Sequence, residues 1–319
     1  MIARMFMLVG AAFSLSPWCS GPLALGLGIA LALLGLTAWG GPSKQLSRLL
    51  IQVCIVLLGL AIDLHRVQQA GVGGLAFAAG TIVLVFALGA ALARALGVPG
   101  PLATLLSSGT AICGGSAIAA TSKVIRADDS DTSIALAAVF VLNAIALFVF
   151  IPVGHWLAMS QDQFGTWAAV AIHDMASVVA AGKEYGPAAL EQATVVKLTR
   201  VLWIVPVAAA CGWAASRRAA GGGGRGAAGW SAVRGALPWF IVLFMAASAV
   251  RTYVPGVDAH EATVKGAAKA GMTLALFLIG CGLSRTAVAR VGARPFVMAA
   301  ALWVVLSVVS LFVVRATVA

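Results

Sequence analysis

Apolar residues run through this chain in long blocks, and polar residues gather in short stretches between them. By length and hydropathy the blocks predict about eleven membrane-spanning helices, near residues 3–17, 22–39, 48–63, 71–93, 101–122, 132–157, 165–182, 192–214, 235–252, 267–284 and 293–314. The first, third and seventh are the shortest, so a ten-span reading stays open. The seventh reads equally as a re-entrant segment, because its polar centre needs protein or water around it. The expected fold class is therefore an all-α polytopic membrane protein of 10–11 transmembrane helices.

Composition agrees with the pattern. With 61% hydrophobic and 10% charged residues, the chain has too little polar surface to cover a soluble globule of 319 residues. The net charge of +11 would point to nucleic acid in a soluble protein. Here the basic residues sit in short loops, where they set topology, and no nucleic-acid partner is expected. With the N-terminus cytoplasmic, Lys44, Arg48, Arg94, Arg217, Arg218, Arg225, Arg234, Arg285, Arg290 and Arg294 fall inside. Fewer fall outside: Arg66, Lys123, Arg126, Lys183, Arg251, Lys265 and Lys269. This bias favours that orientation. Met1 to Pro17 lacks an Ala-x-Ala cleavage pattern and is followed at once by another apolar block, so it reads as a first membrane helix. The five cysteines lie in or beside apolar segments without a CxxC pair, which indicates neither a disulfide framework nor a metal site. The whole chain, 1–319, reads as one membrane domain of two parts. They are joined by a flexible cytoplasmic loop at about 215–232, where Gly221-Gly222-Gly223-Gly224 follows Arg217-Arg218.

Two blocks are interrupted. Between Leu106 and Thr121, Gly109, Gly114 and Gly115 each weaken helix by about 1 kcal/mol relative to Ala, while Ser107, Ser108, Thr110 and Ser116 supply hydroxyls around Cys113. Between Gly165 and Gly182, His173, Asp174 and Ser177 form a polar centre in a similar run of apolar and small residues. Small residues at such spacing also let helices pack closely. Two related interruptions, however, point to a mid-membrane binding site of the kind made by broken transporter helices, whose positive N-terminal ends face an anion. A further echo joins Leu57-Leu58-Gly59-Leu60 to Leu278-Ile279-Gly280-Cys281-Gly282-Leu283. Together the echoes predict a duplicated, inverted architecture in which the two interrupted helices cross near mid-membrane.

Ionisable residues within the spans are few and are functional candidates on that ground. Lys197 and Arg200 are three apart and share a helix face. They either pair with Asp174 or Glu191 to balance charge, or form the cationic wall of an anion site, with the Arg200 fork matching a tetrahedral oxyanion. His173 and Asp174 are candidates for proton handling, although neighbours on a helix point to different sides. Asn143 reads as an interhelical hydrogen bond. The sequence offers no Gly-x-Ser-x-Gly, His-Glu-x-x-His or phosphate loop, so an enzyme is not expected.

The runs Gly109-Thr110-Ala111-Ile112-Cys113-Gly114-Gly115-Ser116, Ile172-His173-Asp174 through Val178-Val179-Ala180-Ala181-Gly182, and Val196-Lys197-Leu198-Thr199-Arg200 resemble the YeiH family of bacterial membrane proteins, also called UPF0324, to which sulfate export is attributed. The likeness covers most of the chain. It departs at Ser122-Lys123-Val124-Ile125 and at Met175-Ala176-Ser177, where Ser177 stands in place of a longer Gln. The resemblance implies a multi-pass inner-membrane transporter related in architecture to cation/proton antiporters and bile-acid symporters. The substrate expected is a small anion, sulfate or an organosulfonate. It would bind at Ser108, Gly109, Thr110, Cys113, Gly114, Gly115, Ser116 and Ser177, with Lys197 and Arg200 balancing charge. His173 and Asp174 would couple movement to H+ or Na+. No cofactor is expected beyond such a coupling ion. The expected partners are the bilayer and the solute, with a homo-oligomer left open. A channel-like anion pore and a non-transporting membrane sensor or scaffold are the alternatives.

Overall fold

The computed structural model describes residues 2–16, 18–38, 40–219, 239–283 and 291–318. From residue 220 onward the expected cytoplasmic loop lies outside the described residues, as do Arg225, Arg234, Arg285 and Arg290. The regular structure of the described residues is all helical, with no strand among them. The helices are α1 (Ile2–Ser14), α2 (Gly21–Leu33), α3 (Gly40–Gly59), α4 (Leu64–Leu96), α5 (Gly100–Ala111), α6 (Gly115–Ile125) and α7 (Asp129–Trp156). They continue as α8 (Gln161–Ala171), α9 (Met175–Tyr185), α10 (Pro187–Leu202), α11 (Ile204–Ala219), α12 (Trp239–Tyr253), α13 (Glu261–Cys281) and α14 (Ala293–Thr317).

Five segments are long and apolar enough to cross a bilayer unaided: Gly74–Leu96, Asp129–Trp156, Pro187–Arg217, Glu261–Cys281 and Ala293–Thr317. The shorter apolar helices Ile2–Ser14, Gly21–Leu33, Gln45–Gly59 and Trp239–Tyr253 accompany them. The interrupted blocks are the pairs α5–α6 and α8–α9. The protein is thus an all-α, polytopic membrane protein. Pro152 and Pro206 lie inside helical runs, as the predicted spans 132–157 and 192–214 have it. α7 continues past Pro152 to Trp156, and α11 continues past Pro206 to Ala219. A proline costs a membrane helix one backbone bond, and neighbouring helices make that loss tolerable. Helix α10 hands over to α11 at Trp203, three residues before Pro206.

The helices pack in two groups. In the first, α13 lies along α2 and α3, α12 packs on α3, and α1 packs on α2 and α13. Helices α2 and α13 approach backbone to backbone at Gly28 and Gly280, where a Cβ on Gly28 would lie 2.9 Å from the Cys281 nitrogen. Close approach of this kind supplies van der Waals contact where lipid removes the hydrophobic drive between helices. The second group holds α4 to α11 and α14. There α4 packs on α5 and α10, and α14 packs on α8 and α7. This arrangement accounts for two echoes with different sequence offsets: Leu57–Leu60 and Leu278–Leu283 lie just before α4 and α14, whereas Ala111 and Ala171 end α5 and α8. The groups meet where α9 lies against α2 and α13 and where α12 meets α4.

Candidate functional site

Each interrupted block breaks where its residues lose the means to stay helical. Helix α5 ends at Ala111, and Ile112 leaves helical geometry at φ −122°, ψ −89°. Gly114 then adopts φ +62°, ψ −117° before α6 begins. That conformation is open to glycine and strained for any residue with a Cβ. The Gly114 N–H donates back to the Gly109 carbonyl at 2.9 Å, which closes the turn. Helix α8, opened by a Ser160/Gln163 capping box, ends at Ala171. Ile172 turns extended (φ −87°, ψ 127°), and Asp174 becomes the N-cap of α9. The Asp174 carboxylate accepts from the Ser177 N–H at 3.0 Å and from the Ser177 hydroxyl at 2.5 Å. The breaks are neighbours in space: a Cβ built on Gly114 would lie 3.4 Å from the His173 Cβ.

A broken helix leaves carbonyls at its C-terminal end without partners, and inside a membrane protein they must be satisfied by other protein groups. Here Lys197 and Arg200 satisfy them. The Lys197 ammonium donates to the carbonyls of Ile112 (3.0 Å), Ala169 (3.2 Å) and Ile172 (2.7 Å), spanning the ends of both α5 and α8. Arg200 donates to the Ala111 carbonyl and, at 2.8 Å, to the Thr81 hydroxyl of α4. The Trp303 indole N–H donates to the Ala171 carbonyl at 3.1 Å. Lys197 and Arg200 are fully buried. They stand where two half-helix dipoles present their negative ends, an arrangement that stabilises cations. Of the two sequence readings of this pair, charge balance by Asp174 finds no direct contact, since the recorded bonds of Asp174 go to Ser177.

The opposite sides of the breaks present the positive ends of α6 and α9. Asp174 caps α9, whereas α6 starts at Gly114 without a side-chain cap. Around the breaks lie buried polar atoms without hydrogen-bond partners: both ring nitrogens of His173, the Asn143 Nδ2, the Thr110 hydroxyl in the last turn of α5, and the Arg200 Nε. Asn143 is fixed by its other end, whose Oδ1 accepts from the His173 backbone N–H at 3.0 Å. Ser116 is exposed, and Gly115 and Asp174 are half-buried.

The structure therefore gathers Thr110, Cys113, Gly114, Gly115, Ser116, His173, Asp174, Ser177, Lys197 and Arg200 at or next to the two breaks. Ser108 and Gly109 serve elsewhere. The Ser108 hydroxyl donates to the Leu105 carbonyl of its own helix at 3.0 Å, and Gly109 makes room for Ile118, whose Cδ1 would lie 2.8 Å from an added Cβ. Thr81 and Trp303 had no sequence signal, being a lone hydroxyl and an ordinary aromatic in apolar helices. Among the described residues no three His, Cys, Asp or Glu side chains gather in a way that could hold a metal ion.

A family model described as conserved hypothetical protein 698 matches residues 21–299. A UPF0324 membrane protein of Bacteroides thetaiotaomicron is 40% identical over 298 residues, covering 93% of this chain and 86% of the relative. One of Geobacter sulfurreducens is 39% identical over 305 residues, covering 94% and 92%. One of Vibrio vulnificus is 41% identical over 297 residues, covering 93% of each. No solved structure matches the chain. With most of its length matched, broken helices included, the chain belongs to the UPF0324 family of membrane proteins.

Proposed function

We propose that the protein is a secondary transporter of the bacterial inner membrane that carries a small anion, sulfate or an organosulfonate, coupled to protons or sodium. The observation that carries this reading is the set of unpartnered buried groups around the breaks: Asn143 Nδ2 and the His173 ring at the start of α9, and the Thr110 hydroxyl in the last turn of α5. Buried polar groups normally have partners, and a cluster of orphans around breaks that present the positive ends of two half-helices has the chemistry of an oxyanion site awaiting its ligand. Lys197 and Arg200 add cationic groups behind the breaks, Lys197 held by three backbone carbonyls and Arg200 by the Ala111 carbonyl and the Thr81 hydroxyl.

Coupling follows from competition. The Asp174 carboxylate and an incoming anion share the same positive helix ends, and the two negative charges repel each other. A proton or sodium ion at Asp174 removes that repulsion, so the anion and its coupling cation favour each other's binding. His173, buried beside the breaks with both ring nitrogens unpartnered, offers in its neutral form one N–H donor and one acceptor.

The test is uptake of labelled sulfate, sulfite and taurine into proteoliposomes with imposed proton or sodium gradients. Saturable uptake of one anion, driven by one gradient and reduced in Arg200→Gln, is the expected result. Flux without saturation or gradient dependence would replace the carrier by a pore, and absence of flux for all three anions would remove these substrates.

A further inference from the structure

A cleft of about 180 Å³ opens between the two helix groups, where α9 faces α13. Its α9 lysine, Lys183, lies nine residues past Asp174, about two and a half helical turns along α9. Its walls are apolar, with Leu58, Met272 and Leu276 among them, yet three lysines open onto it: Lys183 from α9, and Lys265 and Lys269 from α13.

The charges there do not cancel. Lys265 bonds to Glu261 at 2.5 Å, but the same carboxylate also accepts from Arg251 at 3.2 Å. Lys183 has only a 3.5 Å contact to its neighbour Glu184. Lys183 and Lys269 also approach closely enough to interact with each other, like charge against like. Three lysines thus line the cleft, and none of its lining residues is acidic. A lysine in the last turn of α9 is accounted for by the helix dipole. Lys269 is not, since it lies two turns inside α13. Like charges held together beside an apolar cavity are stabilised by an anion between them. Lys265 and Lys269 succeed one another along the face of α13 that continues to Met272 and Leu276, so the cationic end of the cleft leads into its apolar part.

We propose that this cleft is a second binding site, selective for an amphipathic anion. A tetrahedral oxyanion head, sulfonate or phosphate, is held by Lys183 and Lys269 with Lys265 beside them, and an apolar chain lies along Met272 and Leu276. Two sources carry that chemistry, an anionic phospholipid and a free alkyl sulfonate.

The test uses the full-length protein in an uncharged detergent, titrated with 1-octanesulfonate, phosphatidylglycerol, inorganic sulfate and uncharged octanol. A ligand that binds the folded state raises the melting midpoint. Octanesulfonate, phosphatidylglycerol or both raise it, while octanol does not and sulfate does so far less. Losing a charged hydrogen-bond partner weakens affinity by about tenfold or more, so Lys183→Gln and Lys269→Gln each lower it by that factor, and the double Arg variant retains binding. In the wild-type protein, where folding is not in question, the bound amphiphile also protects Lys183 and Lys269 from amine acetylation but leaves exposed Lys123 reactive. A response to phosphatidylglycerol alone identifies the source as lipid, and a response to octanesulfonate alone identifies a free amphiphile. No shift and no protection with either probe, or equal protection of Lys123, overturns the site. Because the readout is binding at lysines remote from the helix breaks, failure to transport sulfate leaves this result untouched.

Discussion

The Lys197 ammonium donates to the Ile112 carbonyl at 3.0 Å across 85 positions of sequence, and the same group holds the carbonyls of Ala169 and Ile172. One side chain therefore fastens the C-terminal ends of two half-helices whose other ends stay available. Without it, three buried carbonyls would face each other with no donor, each costing about 1–3 kcal/mol. The negative dipole ends of α5 and α8 would also be uncompensated.

Lys197→Met should accordingly cost about 3 kcal/mol or more of stability, even after credit for no longer burying an ammonium. The check is the melting midpoint of the detergent-solubilised protein beside Lys123→Met, an exposed lysine that should change it by less than about 0.5 kcal/mol. Equal behaviour of the two variants would show that the three carbonyls find other partners.

The adjacent glycines of the first break should respond in opposite directions. Gly114→Ala forces a Cβ into φ +62°, ψ −117°, with Val139 Cγ1 only 3.1 Å away, and should cost about 1–3 kcal/mol. Gly115 opens α6, and an added Cβ there would meet nothing closer than 3.5 Å, so Gly115→Ala should be neutral or stabilising by up to about 1 kcal/mol. Thermal midpoints of the two single variants decide this, and a loss at Gly115 as large as that at Gly114 would refute the geometry.

The sequence shows where these breaks fall, because glycines at 114 and 115 and polar residues at 173 and 174 are conspicuous inside apolar blocks. Its reading of Lys197 and Arg200 stopped at two partners, an acid or an anion. A backbone carbonyl leaves no mark in a residue string, and Ile112 and Ala111 look like any other apolar positions. Trp303 and Thr81 were illegible for the same reason, since their roles depend on which helix end they meet. Pro152 and Pro206 carry a strong local signal to stop a helix, which the surrounding helices override.

Asp174 separates structure from transport. Asn is as good an N-cap as Asp, so Asp174→Asn should keep α9 and change stability by less than about 1 kcal/mol, whereas Asp174→Ala should lose about 0.5–2 kcal/mol with the cap. If Asp174 is the coupling group, the Asn variant should still bind the anion but lose the dependence of that binding on pH or sodium. Parallel measurements of melting and of anion affinity across pH resolve the two roles. An unaltered pH and sodium dependence in Asp174→Asn would move coupling away from this residue.

Asn143 provides the sharpest test of the oxyanion site because its two ends do different work. Its Oδ1 accepts from the His173 N–H at 3.0 Å and holds the second break, while its Nδ2 is buried without a partner beside the place proposed for the anion. Asn143→Ala removes both and should cost about 1–3 kcal/mol of stability, since the His173 N–H is left buried and unsatisfied. Asn143→Asp keeps an acceptor for His173 but exchanges the free donor for an oxygen, ionised or protonated. The break should survive. Affinity for the proposed oxyanion should fall by about tenfold or more when the carboxylate is ionised, because like charges then meet in a poorly hydrated site. That loss should lessen at low pH, where a protonated carboxyl can again donate. Anion titrations of the Asp variant at two pH values, followed by thermal shift, read this directly. An affinity unchanged from wild type at both would place the anion away from Asn143.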